Sequence, residues 1–386
     1  MKRNLTFPLL MLLSGFFTVS MAADPVLLPV TGNINPASCP QIIKQNGIYY
    51  LFSHSGDAAS AINLRGKSAN IWIRTSTDLK HWSDDWNVFG TNQQATDRKV
   101  LGRLPLPAWW MGDSYSFCYL WAPSINYYNG KYHLYYALAP DWKNPVTKKT
   151  PSAIGLATTP TLDPTSPAYQ WTDQGLVVGG KGAIDPSVVW NGSTPYLLYG
   201  SQVPLSERPL SINTGKLADP ITVKAVAHWS GVQEAPVILH HGDWYYLFFA
   251  YGDYRTAGYG EYVGRSKSYA GPFLDRDGKD LMNAGGTRFI AVNTLNGIYY
   301  HAPAHGSVFT EGDKVYWVGQ HYKDSTHTGG RHLWISTIEF DGDGWPRCAL
   351  TPSFLQPKKT AGASKPPTGG STVPASPPME PRAQNK

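Results

Sequence analysis

The chain has 386 residues, 42% of them hydrophobic and 13% aromatic, which is enough to bury a large core and excludes a disordered protein. Its 33 Lys and Arg against 27 Asp and Glu give a formal charge of +6, but the basic residues are scattered and part of the excess lies near the ends (Lys2, Arg3, Lys358, Lys359). With no basic stripe, nucleic-acid binding is not indicated; the charge reads as a solvated surface, one that would also suit an acidic polysaccharide.

Lys2 and Arg3 precede an apolar run from Leu5 to Val19 that ends in Ser20-Met21-Ala22, the pattern of a secretory signal peptide over residues 1–22. The run is too short for a membrane anchor and no Cys follows it to accept a lipid, so the mature protein is expected to be secreted or periplasmic, without membrane insertion.

From there the sequence repeats itself. Each copy is a small residue or Pro, two or three apolar residues, a turn containing Gly, and an aromatic-rich strand. The copies run from Pro40 through Gly47 to Phe52, from Pro123 through Gly130 to Tyr135, and from Pro186 through Gly192 to Tyr199. Two more run from Pro236 through Gly242 to Leu247 and from Ser307 through Gly312 to Val318. Each reads as a β-hairpin. The intervals leave room for two further strands per copy, such as Ile71-Trp72-Ile73-Arg74 and Ile154-Gly155-Leu156-Ala157. Four strands per repeat, arranged radially, predict an all-β, five-bladed β-propeller over residues 23–356. Residues 357–386, rich in Pro, Ser, Thr, Lys and Gly, form a tail that cannot bury enough surface to order itself. Cys39, Cys118 and Cys348 are an odd number, so at least one stays unpaired within the chain.

In a propeller the start of each innermost strand lies near the central axis. The residues just before the hairpins are therefore expected to meet in one pocket: Ser38-Cys39, Trp121-Ala122, Ile184-Asp185, Glu234-Ala235 and Ala304-His305. Two carboxyls facing an aromatic are what glycoside hydrolysis needs, one to protonate the leaving oxygen and one to activate water. A third acid tunes the donor, and His305 suits a metal or a held water. Singly, Asp185 before Pro reads equally as a turn residue and Trp121 as core; their shared register makes the functional reading.

Ala183-Ile184-Asp185-Pro186-Ser187, Gln233-Glu234-Ala235-Pro236, Trp121-Ala122-Pro123-Ser124-Ile125 and Ala304-His305-Gly306-Ser307-Val308 resemble motifs of glycoside hydrolase family 43, above all its endo-1,5-α-L-arabinanases. So does the stretch from Val263-Gly264-Arg265-Ser266 through Gly271-Pro272-Phe273 to Gly285-Gly286-Thr287, and the resemblance covers the chain from Cys39 to Pro346. It implies an inverting hydrolase of arabinan-type polysaccharide, such as pectin side chains. Glu234 matches the general acid and Asp185 the residue that tunes its pKa. Trp121 resembles a stacking aromatic, Ser201 resembles a residue lining the sugar site, and His305 matches a His beside a central, largely hydrated calcium ion.

The departure is at the general base. Where the family has H-D-P-S-I-I this chain has Ser38-Cys39-Pro40-Gln41-Ile42-Ile43, so Cys39 stands in the place of the Asp; Asn35-Pro36 upstream is out of register. A thiol, with a pKa of about 8.5, is mostly neutral at pH 7, whereas an Asp, at about 3.9, is an anion ready to take a proton. Losing a general base costs roughly 10²–10⁴ in rate, or about 3–5 kcal/mol of barrier. Three readings follow. Another acid such as Asp57 serves as base; or Cys39 serves, as thiolate or as a carboxylate-like sulfinate; or the protein is a non-catalytic carbohydrate-binding propeller derived from such an enzyme.

Overall fold

The computed structural model describes residues 23–54, 71–84, 86–89, 100–104, 118–140, 152–327 and 330–352. Asp57, the signal-peptide segment 1–22 and the tail from 357 lie outside them.

Each of the five sequence repeats opens one sheet. Blade one contains Ser38–Gln45, Ile48–His54, Ile71–Ser76 and Trp86–Phe89, with Val100–Leu104 added in parallel at its edge. Blade two is Cys118–Tyr128, Lys131–Pro140, Ala153–Thr159 and Thr172–Gly179; blade three is Ser187–Asn191, Thr194–Tyr199, Leu205–Pro209 and Lys224–Ala227. Blade four is Gln233–His241, Trp244–Tyr251, Gly260–Ser266 and Thr287–Ile290. Blade five has Ser307–Glu311, Lys314–His321 and His332–Thr337. The N-terminal segment serves as its outer edge: Leu27 bridges Ser336, and Leu28 N donates to Ile335 O at 2.8 Å. Among the described residues the helical content is a single 3₁₀ turn, Leu281–Asn283, and no helix there is long and apolar enough to cross a membrane.

Local chemistry explains the hairpins. Asn46-Gly47 and Asn129-Gly130 hold φ values of 50° and 82°, and of 48° and 72°. Two successive left-handed residues match the twist of paired strands, and Asn followed by Gly meets that demand at least cost. The aromatic strands that follow pack between blades rather than within them. Five apolar clusters fill the five seams, from Phe52 against Leu134 between blades one and two, round to Leu51 against Val318 between blades five and one. Because the last seam is filled like the others, the ring is closed.

Around the axis the chain repeats one irregularity. Cys39, Ala122, Asp185, Ala235 and His305, one per blade, all have left-handed backbones, with φ of 49°, 38°, 57°, 54° and 64°. In blades one, two and four the ladder skips there, between Ser38 and Gln41, Trp121 and Ser124, and Glu234 and Val237. Such a bulge re-aims side chains out of the sheet, at a cost of about 1–3 kcal/mol per non-Gly residue. Hydrogen bonds across the seams hold it. Ser307 Oγ donates to Pro40 O at 2.8 Å, Ile125 N donates to Gln41 Oε1, and Ser187 Oγ donates to Pro236 O.

Candidate active site

The five left-handed positions line a single pocket. Cys39, Ala122, Asp185, Ala235 and His305 contribute to its wall, as the sequence register requires. At its centre stands His305, with Nδ1 3.5 Å from Glu234 Oε1 and Nε2 3.7 Å from Asp185 Oδ1. Ligand-type atoms of Asp185, Glu234 and His305 all lie within 4.8 Å of one another. All three are largely or wholly withdrawn from solvent.

Each carboxyl has its own environment. Glu234 Oε1 accepts from Tyr259 OH at 2.6 Å and Oε2 accepts from Ser201 Oγ at 3.2 Å. Burial works to raise the Glu234 pKa, but hydrogen bonds from His305, Tyr259 and Ser201 together outweigh it and hold the group below the ordinary glutamate value. Asp185 has fewer partners, and its Oδ2 is buried without any. Burial, aided by the Glu234 charge, pushes Asp185 up to about 7 against the opposing pull of His305. Of the two carboxyls, Asp185 is therefore the one its surroundings make harder to ionise. Burial alone would lower His305, yet Cys39, Asp185 and Glu234 outweigh it and raise its pKa well above the ordinary value.

Cys39 is buried and lines the same pocket. Its Sγ lies 3.2 Å from His54 Nε2, and its backbone N donates to Gln320 Oε1 at 2.7 Å, tying blade one to blade five. His54 sits directly across the ladder from Ser38, which is what brings its ring to the neighbouring Cys39. Burial, with the charges of Arg331 and His305, keeps His54 well below its usual pKa, so its imidazole is neutral. Trp121 is half-buried and packs with Cys39, Ala122, Ala137 and Ile184 beside the axis. Cys39 and Cys348 are both free thiols.

Several groups of this centre carry no sequence signal of their own. Tyr259 reaches Glu234 from the segment before the third strand of blade four. Glu261 is fully buried; its Oε2 accepts from His305 N at 2.9 Å, fixing the strained turn, and burial raises it to about 8. His54 and Gln320 approach from second strands, whose ends the repeat pattern does not single out.

The sequence matches the family model described as glycosyl hydrolases family 43 over residues 29–346. The chain belongs to that family. It is 29% identical over 332 residues to an extracellular exo-α-(1→5)-L-arabinofuranosidase of Cellvibrio japonicus, covering 80% of this chain and 85% of the relative. It is also 29% identical to an extracellular endo-α-(1→5)-L-arabinanase of Bacillus subtilis, covering 80% and 86%. Among solved structures it resembles the Cellvibrio cellulosa α-L-arabinanase complexed with arabinohexaose, with a TM-score of 0.64, 27% identity and coverage of 82% of this chain and 96% of that one.

Proposed function

We propose that this family 43 propeller hydrolyses α-1,5-linked arabinan outside the cytoplasm, in the manner of the relatives named extracellular. The observation that carries the reading is the meeting of Asp185, Glu234 and His305 beside five matched left-handed positions, with Cys39 in the register of the base. Glu234 is the general acid. His305, whose ring nitrogens face both carboxyls, stands between Glu234 and Asp185. Trp121 offers its ring to a sugar, and Ser201, with Tyr259, positions the acid.

The base role falls to Cys39 with His54. Cys39 would pass its S–H proton to His54 Nε2, 3.2 Å away, and as thiolate would take a proton from the attacking water. Cys39 is favoured over Asp57 because it stands in the register of the base and lines the axial pocket. Asp185 Oδ2, buried and unpartnered, is an oxygen of the kind a largely hydrated calcium ion would take near His305. Bound there, such an ion would supply positive charge beside the acids.

Sugar release from linear 1,5-α-arabinan by the wild type, set beside Glu234→Gln, tests the reading. Turnover that Glu234→Gln abolishes supports it. Oligosaccharide binding without turnover in either protein supports the non-catalytic reading instead, and neither binding nor turnover rejects the arabinan assignment.

A further inference from the structure

A second cavity lies away from the axis, against the outer strand of blade four and residues 345–351. Its wall includes Arg276, Thr287, Phe289, Trp345, Arg347 and Thr351. Its volume is about 10 Å³, room for one occupant of roughly the size of a water or a small ion.

The charge balance around it is uneven. Arg347 is only 4% exposed, and its recorded partner is the backbone Ala23 O, 3.1 Å from Nη2; its Nε is buried with no acceptor. Arg276 pairs through Nη2 with Asp341, but its Nε is likewise buried and unpaired. Arg265 lies 4.3 Å above the Trp345 ring and 4.1 Å above Trp244, and donates a hydrogen bond to Asp343 O. Two guanidiniums thus lie over one Trp, that of Arg276 at 5.3 Å, and among the described residues Arg276 alone of Arg265, Arg276 and Arg347 has an ion pair. Asp341 is already occupied, accepting from Asp343 N at 3.0 Å and Trp345 N at 2.8 Å as well as from Arg276. Arg288, also in the wall, turns its Nη2 to Gly258 O at 3.1 Å and its guanidinium towards the Tyr262 ring.

A guanidinium withdrawn from water without a counter-charge is costly, and a buried N–H without an acceptor adds to that cost. A water filling the cavity would satisfy donors but bring no charge, and it would need acceptors for its own protons. The unpaired buried side-chain atoms that Arg276 and Arg347 bring to this cavity are both donors. We propose that the cavity is an anion site, in which one small monovalent inorganic anion of the chloride class is held between Arg276 Nε and Arg347 Nε. The anion clamps the Pro346–Arg347 strand, and through Arg347 the backbone at Ala23, onto blade four.

The test uses the full chain with chloride as the probe. Chloride-35 NMR line width and thermal unfolding are followed as sodium chloride replaces sodium gluconate at constant ionic strength. The wild type is expected to give saturable excess broadening that bromide displaces, and a melting temperature that climbs with chloride. Arg347→Gln loses both responses, whereas Arg265→Gln, outside the cavity wall, keeps them. Should Arg347→Gln fail to fold, Arg276→Lys, which retains the charge and removes the Nε donor, is expected to move the chloride midpoint at least roughly tenfold. A wild type with no saturable broadening, or an unchanged midpoint in the folded variants, overturns the anion site and leaves a cavity filled by water.

Discussion

Replacing Cys39 by Asp is the substitution on which the proposed chemistry bears hardest. The position has φ of 49°, a left-handed backbone that Asp tolerates better than most residues, so the exchange adds no new strain. The new carboxyl would stand where Sγ now lies, 3.2 Å from His54 Nε2 and on the wall of the axial pocket. A carboxylate takes a proton from water without assistance, and a positioned general base contributes roughly 10²–10⁴ in rate. Cys39→Asp is therefore expected to raise kcat/KM on linear 1,5-α-arabinan by about that factor, a barrier lower by about 3–5 kcal/mol. The assay is initial-rate sugar release, with arabino-oligosaccharide affinity measured separately to show an intact cleft. A folded Cys39→Asp protein that binds sugar as well as the wild type but turns over no faster would refute the placing of the base at position 39.

Further outcomes follow from the same geometry. His54→Gln is expected to slow the wild type by an order of magnitude or more and to leave Cys39→Asp nearly unaffected, because the carboxylate no longer needs the imidazole; equal losses in both backgrounds would make His54 merely structural. Tyr259→Phe removes the 2.6 Å hydrogen bond to Glu234 and is expected to reduce kcat with a loss of about 1.5–3 kcal/mol, read from steady-state kinetics. Burial lowers His133, His321 and His332 to about 4, below the value near 6.5 of an unfolded chain. A depressed folded value means that their stabilising contribution is complete above pH 6.5 and is lost as pH falls towards 4, so the melting temperature should drop across that window, and less steeply in His133→Phe. Ala284, exposed and left-handed with φ of 59° at the end of the 3₁₀ turn, is a site where Gly should add about 0.5–1 kcal/mol, measured by denaturant unfolding.

Much of this was readable in the residues because the signals are local. Gly-containing turns between apolar strands mark the hairpins, and five hairpins in one register give the blade count and place Cys39, Asp185, Glu234 and His305 together. What escaped reading is non-local. The edge of blade five comes from the N-terminal segment, whose Val26 bonds Thr337 across 311 residues and carries no period of its own. The same holds at the site. Tyr259 and Glu261 flank the third strand of blade four, and Gln320 and His54 end second strands; only the packed sheet shows that their side chains reach the axis. The pKa order of the acid pair was likewise hidden, since it depends on Tyr259 and Ser201 donating to Glu234 while Asp185 Oδ2 goes without a partner.

The role of Glu234 as the acid is tested most directly by varying the leaving group. A sugar alcohol needs protonation as it departs, whereas dinitrophenolate does not. Wild type and Glu234→Gln would be compared on linear 1,5-α-arabinan and on a dinitrophenyl arabinotrioside. The account predicts that Glu234→Gln loses roughly 10²–10⁴ on the polysaccharide and little on the activated glycoside. Equal losses on the two substrates would contradict it, since they would make Glu234 a structural residue of the pocket rather than its proton donor.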